Sequence, residues 1–170
     1  LLRVTAHASP VDADDRLDLV LSHWTMDLAA LGDHAPGHFW RQEPDGGFTD
    51  LGANPCCPEL AGTGDHTFTA SLADVDGQPG IDLLWAGDFG TSRLLRGHHT
   101  MQFSSMAPPG LPNDENGMGT ALGDLDNDGD LDWFVTSIYD SGGAPKDGNR
   151  MYRNLGNGVF EDATDHAGVR

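Results

Sequence analysis

Three acidic loops, each running into an apolar strand-like segment, and three hairpin-like segments that follow them predict an all-β chain. The expected architecture is a β-propeller-type array of about three four-stranded blades. The acidic loops end at Asp18, Asp82 and Asp132, which lie 64 and then 50 residues apart. Units of about 40–50 residues that carry four strands are the spacing of propeller blades. Blades are expected over about residues 1–52, 66–105 and 117–165, within one domain or fragment covering 1–170. The first unit is longer because Cys56 to Gly64 adds a loop. Three blades cannot close a ring, since propellers use about four to eight. Further blades from the parent chain or from another chain are therefore expected.

The third loop is the most informative. Asp124-Leu-Asp-Asn-Asp-Gly-Asp-Leu-Asp132 places carboxylates at loop positions 1, 3, 5 and 9, with Gly129 at position 6. Like charges this close repel. A hard divalent cation reverses that cost, and calcium accepts six to eight oxygens at about 2.3–2.6 Å in irregular geometry. Asp124, Asp126 and Asp128 can converge if the chain curls, and Gly129 allows the turn. The carbonyl of Asp130 and the side chain of Asp132 can complete the shell. An EF-hand begins the same way but needs a Glu at position 12 between two helices. Position 12 here is Val135, and Trp133-Phe-Val-Thr-Ser-Ile138 is β-branched and aromatic, a strand signal. The alternative is a solvated acidic turn without an ion.

The second loop, Asp74-Val-Asp-Gly-Gln-Pro-Gly-Ile-Asp82, repeats the pattern with Asp74, Asp76, Gln78 and Asp82 at positions 1, 3, 5 and 9, and runs into Leu83-Leu-Trp-Ala86. Pro79 stands at the glycine position, and Gln78 offers a neutral oxygen. The first loop has Pro10 at position 1 and Asp15 at position 6, and keeps Asp12, Asp14 and Asp18. It is either a weak site or a vestigial metal-free turn.

The hairpin segments are His38–Asp50, Ser92–Phe103 and Asn149–Asp162. Asp-Gly and Asn-Gly between apolar runs are strong hairpin signals. Each unit thus reads as strand, acidic loop, strand, connection, strand, tight turn, strand.

Gly119-Thr-Ala-Leu-Gly-Asp-Leu-Asp-Asn-Asp-Gly-Asp-Leu-Asp-Trp-Phe-Val-Thr136, followed by Asn149–Thr164 and Ala167-Gly-Val169, resembles the FG-GAP/VCBS repeat. It is most similar to the bacterial and cartilage-acidic-protein-like branch. The integrin α-subunit propeller, a cell-adhesion module, is a more distant relative. The resemblance is strong over 117–169, fair over 66–103 and loose over 4–50. It implies calcium loops joining the first two strands of each blade. By matched position the ligands would be Asp124, Asp126, Asp128, Asp130 through its carbonyl, and Asp132. The second set would be Asp74, Asp76, Gln78, Gly80 through its carbonyl, and Asp82.

Composition bounds the remaining possibilities. The chain has 170 residues, 23 Gly and 10 Pro, as turn-rich all-β chains require. Lys+Arg is 9 against Asp+Glu 27, a net charge of −18. Such a surface repels nucleic acid and anionic membrane, whose recognition needs clustered Lys and Arg. No run approaches 18 apolar residues, so no helical membrane span is expected. The start at Leu1, without a signal peptide, fits a processed product or a piece of a longer chain. Cys56-Cys57 leaves open a vicinal disulfide, bridges to another chain, or two free thiols.

No GxSxG, phosphate loop or HExxH is present. His98-His99 reads as a polar strand end, since neighbours on a strand face opposite ways. Trp85 and Trp133 read as core between blades, and Trp24 and Trp40 as candidates for an exposed surface. The expected function is a non-catalytic, calcium-binding extracellular, cell-surface or periplasmic module that binds a protein or glycan partner. The alternative is a set of substrate-binding blades in a secreted carbohydrate-active or other enzyme.

Overall fold

The computed structural model describes residues 4–12, 14–25, 38–52, 65–138 and 148–170. Strands dominate, in three successive antiparallel meanders. The first contains β1 (Val4–Ser9), β2 (Asp18–Thr25), β3 (Phe39–Gln42) and β4 (Phe48–Asp50). The second contains β5 (Asp65–Ala73), β6 (Asp82–Gly87), β7 (Arg93–His98) and β8 (Gln102–Ser105). The third contains β9 (Gly117–Gly123), β10 (Asp132–Ser137), β11 (Arg150–Asn154) and β12 (Phe160–Asp162), followed by the short helix α1 (Thr164–Ala167). Each strand pairs with the next in its meander.

The curled antiparallel arrangement is that of part of a β-propeller. First strands are neighbours: β1 lies against β5, and β5 against β9. One feature departs from separate units. The end of β2 runs past β3 and pairs with the start of β5, Trp24 opposite His66 and Thr25 opposite Asp65. The first two meanders therefore form one eight-stranded sheet, while the third is a separate four-stranded sheet. Sequence pattern cannot show this join, because it depends on where one strand outlasts its partner.

The core lies between successive meanders. Alternate residues of a strand face opposite ways, and β6 is buried on both faces. Leu83 and Trp85 pack with Val11, Val20, Phe39 and Phe103 of the first cluster. Leu84 and Ala86 pack with Trp133, Val135, Tyr152 and Phe160 of the second. This explains why Leu83-Leu-Trp-Ala86 is apolar throughout rather than alternating. Trp85 and Trp133 are both core residues, fully removed from solvent. The indole of Trp85 donates to Ser22 Oγ at 2.6 Å, so its polar edge is satisfied across the first interface.

Among the described residues no helix is long and apolar enough to cross a membrane. Cys56 and Cys57, and the Cys56 to Gly64 loop, lie outside the described residues.

Candidate metal centre

Each acidic loop connects the first and second strands of its meander. In the third loop, left-handed backbone at Asn127 (φ 62°) and Gly129 (φ 98°) curls the chain. Asp124 accepts the N–H groups of Asp128 at 3.0 Å and Gly129 at 3.2 Å, and Asp128 accepts that of Asp130 at 3.0 Å. One carboxylate oxygen from each of Asp124, Asp126 and Asp128 lies within 4.8 Å of the other two. Burial and the negative neighbours Asp128 and Asp132 push the Asp126 carboxyl up.

The second loop reaches a similar result by a different turn. The left-handed residues are Gly77 (φ 68°) at position 4 and Gly80 (φ 135°) at position 7. Pro79 at position 6 is thereby accommodated, because the glycines sit where the turn needs them. A side chain on Gly80 would also collide with the Gly97 carbonyl. Asp74 accepts Gly77 N–H and Asp76 accepts Gln78 N–H, each at 2.8 Å. Here the gathered carboxylates are Asp74, Asp76 and Asp82, again within 4.8 Å. The Gln78 side chain is exposed.

The position-9 aspartates share a further role. Asp18, Asp82 and Asp132 are at most 1 % exposed. Each ties its loop to the third strand of the same meander. Asp132 accepts Leu125 N–H and Asn154 N–H, both at 2.9 Å. Asp82 accepts Val75 N–H and Gly97 N–H, both at 2.9 Å. Asp18 accepts Val11 N–H and Gln42 N–H, both at 3.0 Å. Burial raises the Asp82 carboxyl, and the two N–H groups oppose that rise. Asp132 stands apart from the Asp124, Asp126 and Asp128 group, whereas Asp82 belongs to its own.

The first loop differs. Asp14 accepts Arg16 N–H at 2.9 Å, and the Arg16 guanidinium forms an ion pair with the same carboxylate. These contacts hold the Asp14 carboxyl below the usual range, with the Arg16 N–H the foremost cause. Burial and then Asp18 raise the Asp12 carboxyl. Among the described residues, three-carboxylate groups occur in the second and third loops, and Asp12, Asp14 and Asp18 do not form one.

The two gathered sets offer oxygen alone, with no thiolate or imidazole. That chemistry suits a hard cation. Two oxygens that share a calcium at about 2.3–2.6 Å lie no more than roughly 5 Å apart, and 4.8 Å satisfies that limit. The residues present therefore fit calcium in the second and third loops. A bound ion would neutralise carboxylates that otherwise repel.

Residues 74–135 match the family model of the FG-GAP-like repeat. The matched segment resembles an FG-GAP-like repeat. It begins at the first carboxylate of the second loop and ends three residues beyond Asp132, so it spans one full period from loop to loop. No curated protein matches the chain in sequence.

Sequence reasoning overlooked the arginines that face these loops. Arg96 forms an ion pair with Asp76, and Arg153 Nη1 lies 3.6 Å from Asp126 Oδ2. The available signal was an arginine after two apolar or aromatic residues in each third strand: Phe-Trp-Arg41, Leu-Leu-Arg96 and Met-Tyr-Arg153.

At the opposite end of the sheets, a cleft of about 500 Å³ is lined by Phe89, Gly90, Pro112, Asn113, Asp114, Glu115 and Asn116. Asp114 accepts from Ser92 Oγ at 2.6 Å and from Tyr152 Oη at 2.9 Å. Burial nevertheless pushes its carboxyl up. His98 ends β7 with its ring nitrogen 3.0 Å from Ser104 Oγ, and His99 is an exposed turn residue.

Proposed function

We propose that this chain is a calcium-stabilised, non-catalytic binding or scaffold module that works outside the cytoplasm, at a cell surface, in a matrix or in a periplasm. The FG-GAP-like repeat supports a binding or scaffold role in general. The carrying observation for calcium is the recurrence of an oxygen-only carboxylate triad at the same strand connection in two successive meanders. Calcium at the millimolar level of extracellular fluids could occupy such sites. For a dissociation constant near ~10⁻⁴ M at ~1 mM calcium, mass action contributes about 1.4 kcal/mol per occupied site. The partner is a protein or glycan, and further blades from the parent chain or another chain complete the ring.

The enzyme alternative finds its best foothold in the cleft beside Phe89. Its buried acid, Asp114, is engaged by two hydroxyls, and that supports a structural role for it. Isothermal titration of the chelator-treated chain with calcium chloride tests the proposal. Two binding events of extracellular-type affinity are expected, with magnesium much weaker. No heat of binding and no calcium-dependent shift in melting temperature would overturn it.

A further inference from the structure

The three arginines Arg41, Arg96 and Arg153 occupy one repeated place. Across the second and third strands, Leu19 pairs with Trp40, Leu83 with Leu95, and Trp133 with Tyr152. The next residue on each third strand is the arginine. The one after it is Gln42, Gly97 or Asn154, whose N–H holds the position-9 aspartate. The backbone thus fixes each arginine at the mouth of its own acidic loop. Three of the chain's nine basic residues stand at this single register position.

Their engagement differs from loop to loop. Arg96 pairs with Asp76, the position-3 carboxylate, whose side chain is fully buried while that of Arg96 is 40 % exposed. Arg153 reaches the equivalent Asp126 at 3.6 Å and is shared with Glu161. Arg41 is turned toward Glu43 at 2.9 Å, and Asp12 and Asp14 act on it from farther off. In that first loop a second cation, Arg16 at position 7, is bound to Asp14 and donates to the Gln42 carbonyl at 2.9 Å.

We propose that the third-strand arginine is the resident counter-cation of the second and third loops, facing the position-3 carboxylate when no ion is bound and opposing a divalent ion that claims the same oxygens, while in the first loop Arg16 takes that place on Asp14. Calcium uptake is then an exchange of cations, and each loop's affinity is graded by how firmly its arginine is held. The third loop, with a distant and shared arginine, takes the ion most readily. The second must loosen Arg96 from Asp76. In the first, Arg16 already sits on a carboxylate, so that loop stays metal-free. The physical basis is simple repulsion: a guanidinium within a few ångströms of a doubly charged ion disfavours it even under aqueous screening. This inference rests on the calcium reading of the second and third loops.

Calorimetric titration of the 170-residue chain with calcium chloride, comparing Arg96→Gln, Arg96→Lys and Arg153→Gln with the unsubstituted chain, tests it. Arg96→Gln should tighten Kd at one site by about tenfold, because a unit charge near the ion is removed. Arg153→Gln should tighten the other by less. Arg96→Lys keeps the charge and should stay near the unsubstituted value. In chelator, Arg96→Gln should melt earlier, while its calcium-induced rise in Tm grows. An Arg96→Gln chain with unchanged or weaker Kd, and equal loss of Tm with and without calcium, would overturn the inference while leaving the calcium reading intact. Binding by Arg96→Gln but not by the unsubstituted chain would uphold the arginine's role and sink the native calcium site. Binding by neither sinks both.

Discussion

Asn154 donates its side-chain amide to the carbonyl of Val75 at 2.8 Å, across 79 residues of sequence. Its own N–H holds Asp132, its amide also reaches the Leu131 carbonyl at 3.2 Å, and its Oδ1 accepts Gly156 N–H at 3.0 Å. One buried side chain therefore fastens the second loop to the third. Asn154→Ala leaves the Val75 and Leu131 carbonyls and the Gly156 N–H without this partner. Unpaired buried groups cost about 1–3 kcal/mol, and urea unfolding should show a loss of that order. A change near zero would mean that water or a neighbour replaces the amide.

The turn that follows Asn154 presses on the same neighbour. Gly158 has φ 72°, and a Cβ there would lie 2.7 Å from the Asp76 Cβ and 3.1 Å from Met106 Sδ. Gly158→Ala meets both backbone strain and a clash, each of order 1–3 kcal/mol. The expected outcome is a lower urea midpoint and a weaker response of the second loop to calcium. Gly129, also at positive φ, has nothing within 4 Å of such a Cβ. Gly129→Ala should therefore cost less, and a larger loss there than at Gly158 would contradict this packing.

The sequence displayed much of this design and hid a definable part. Asp124, Asp126 and Asp128 could be read because their spacing places like charges where only a turn or a cation explains them. Strands such as Asp82–Gly87 could be read from unbroken apolar runs between turn residues. Pro79 departs from the glycine of position 6, and the structure supplies the left-handed geometry from Gly77 and Gly80 instead. The anchoring of Asp18, Asp82 and Asp132 to a third strand was illegible, because their partners are backbone N–H groups 15 to 24 residues away, which no side-chain pattern encodes. The arginines were visible as residues but not as loop partners until strand register put them opposite the acids.

Tyr152 provides a test remote from the loops. Its hydroxyl accepts Asn113 N–H and Asp114 N–H at 3.1 Å each and donates to Asp114 Oδ1 at 2.9 Å. Burial and the neighbouring Asp114 carboxylate push its phenol well above the ordinary range, so it remains a neutral donor. Tyr152→Phe keeps the ring against Trp133, 5.2 Å between centroids, but takes the hydroxyl away from two N–H groups and from Asp114 Oδ1, whose other oxygen keeps Ser92. A loss of about 1–3 kcal/mol is expected, equal in calcium and in chelator, because the phenol lies away from both triads. A loss confined to the calcium form would show long-range coupling that these contacts do not provide.

Replacement of one loop carboxylate should separate metal binding from fold stability. Asp126 belongs to the third-loop triad and, in the absence of an ion, stands among negative neighbours with Arg153 as its nearest cation. Asp126→Ala removes a proposed ligand but also relieves repulsion, two effects of opposite sign that apply under different conditions. In chelator the variant should melt within a degree or two of the unsubstituted chain. In ~1 mM calcium it should lose the stabilisation of one site, roughly 3–5 °C for a domain of this size. Asp76→Ala removes a buried carboxylate proposed as a ligand together with the partner of Arg96, so it should lower Tm in both conditions. Magnesium should rescue neither variant and should raise the unsubstituted chain's Tm less than calcium, because magnesium requires near-octahedral geometry and gives up water reluctantly. Calorimetric scans in calcium, magnesium and chelator decide the matter. Equal midpoints for the unsubstituted chain in all three would mean that both triads are acidic turns held by hydrogen bonds and arginine alone.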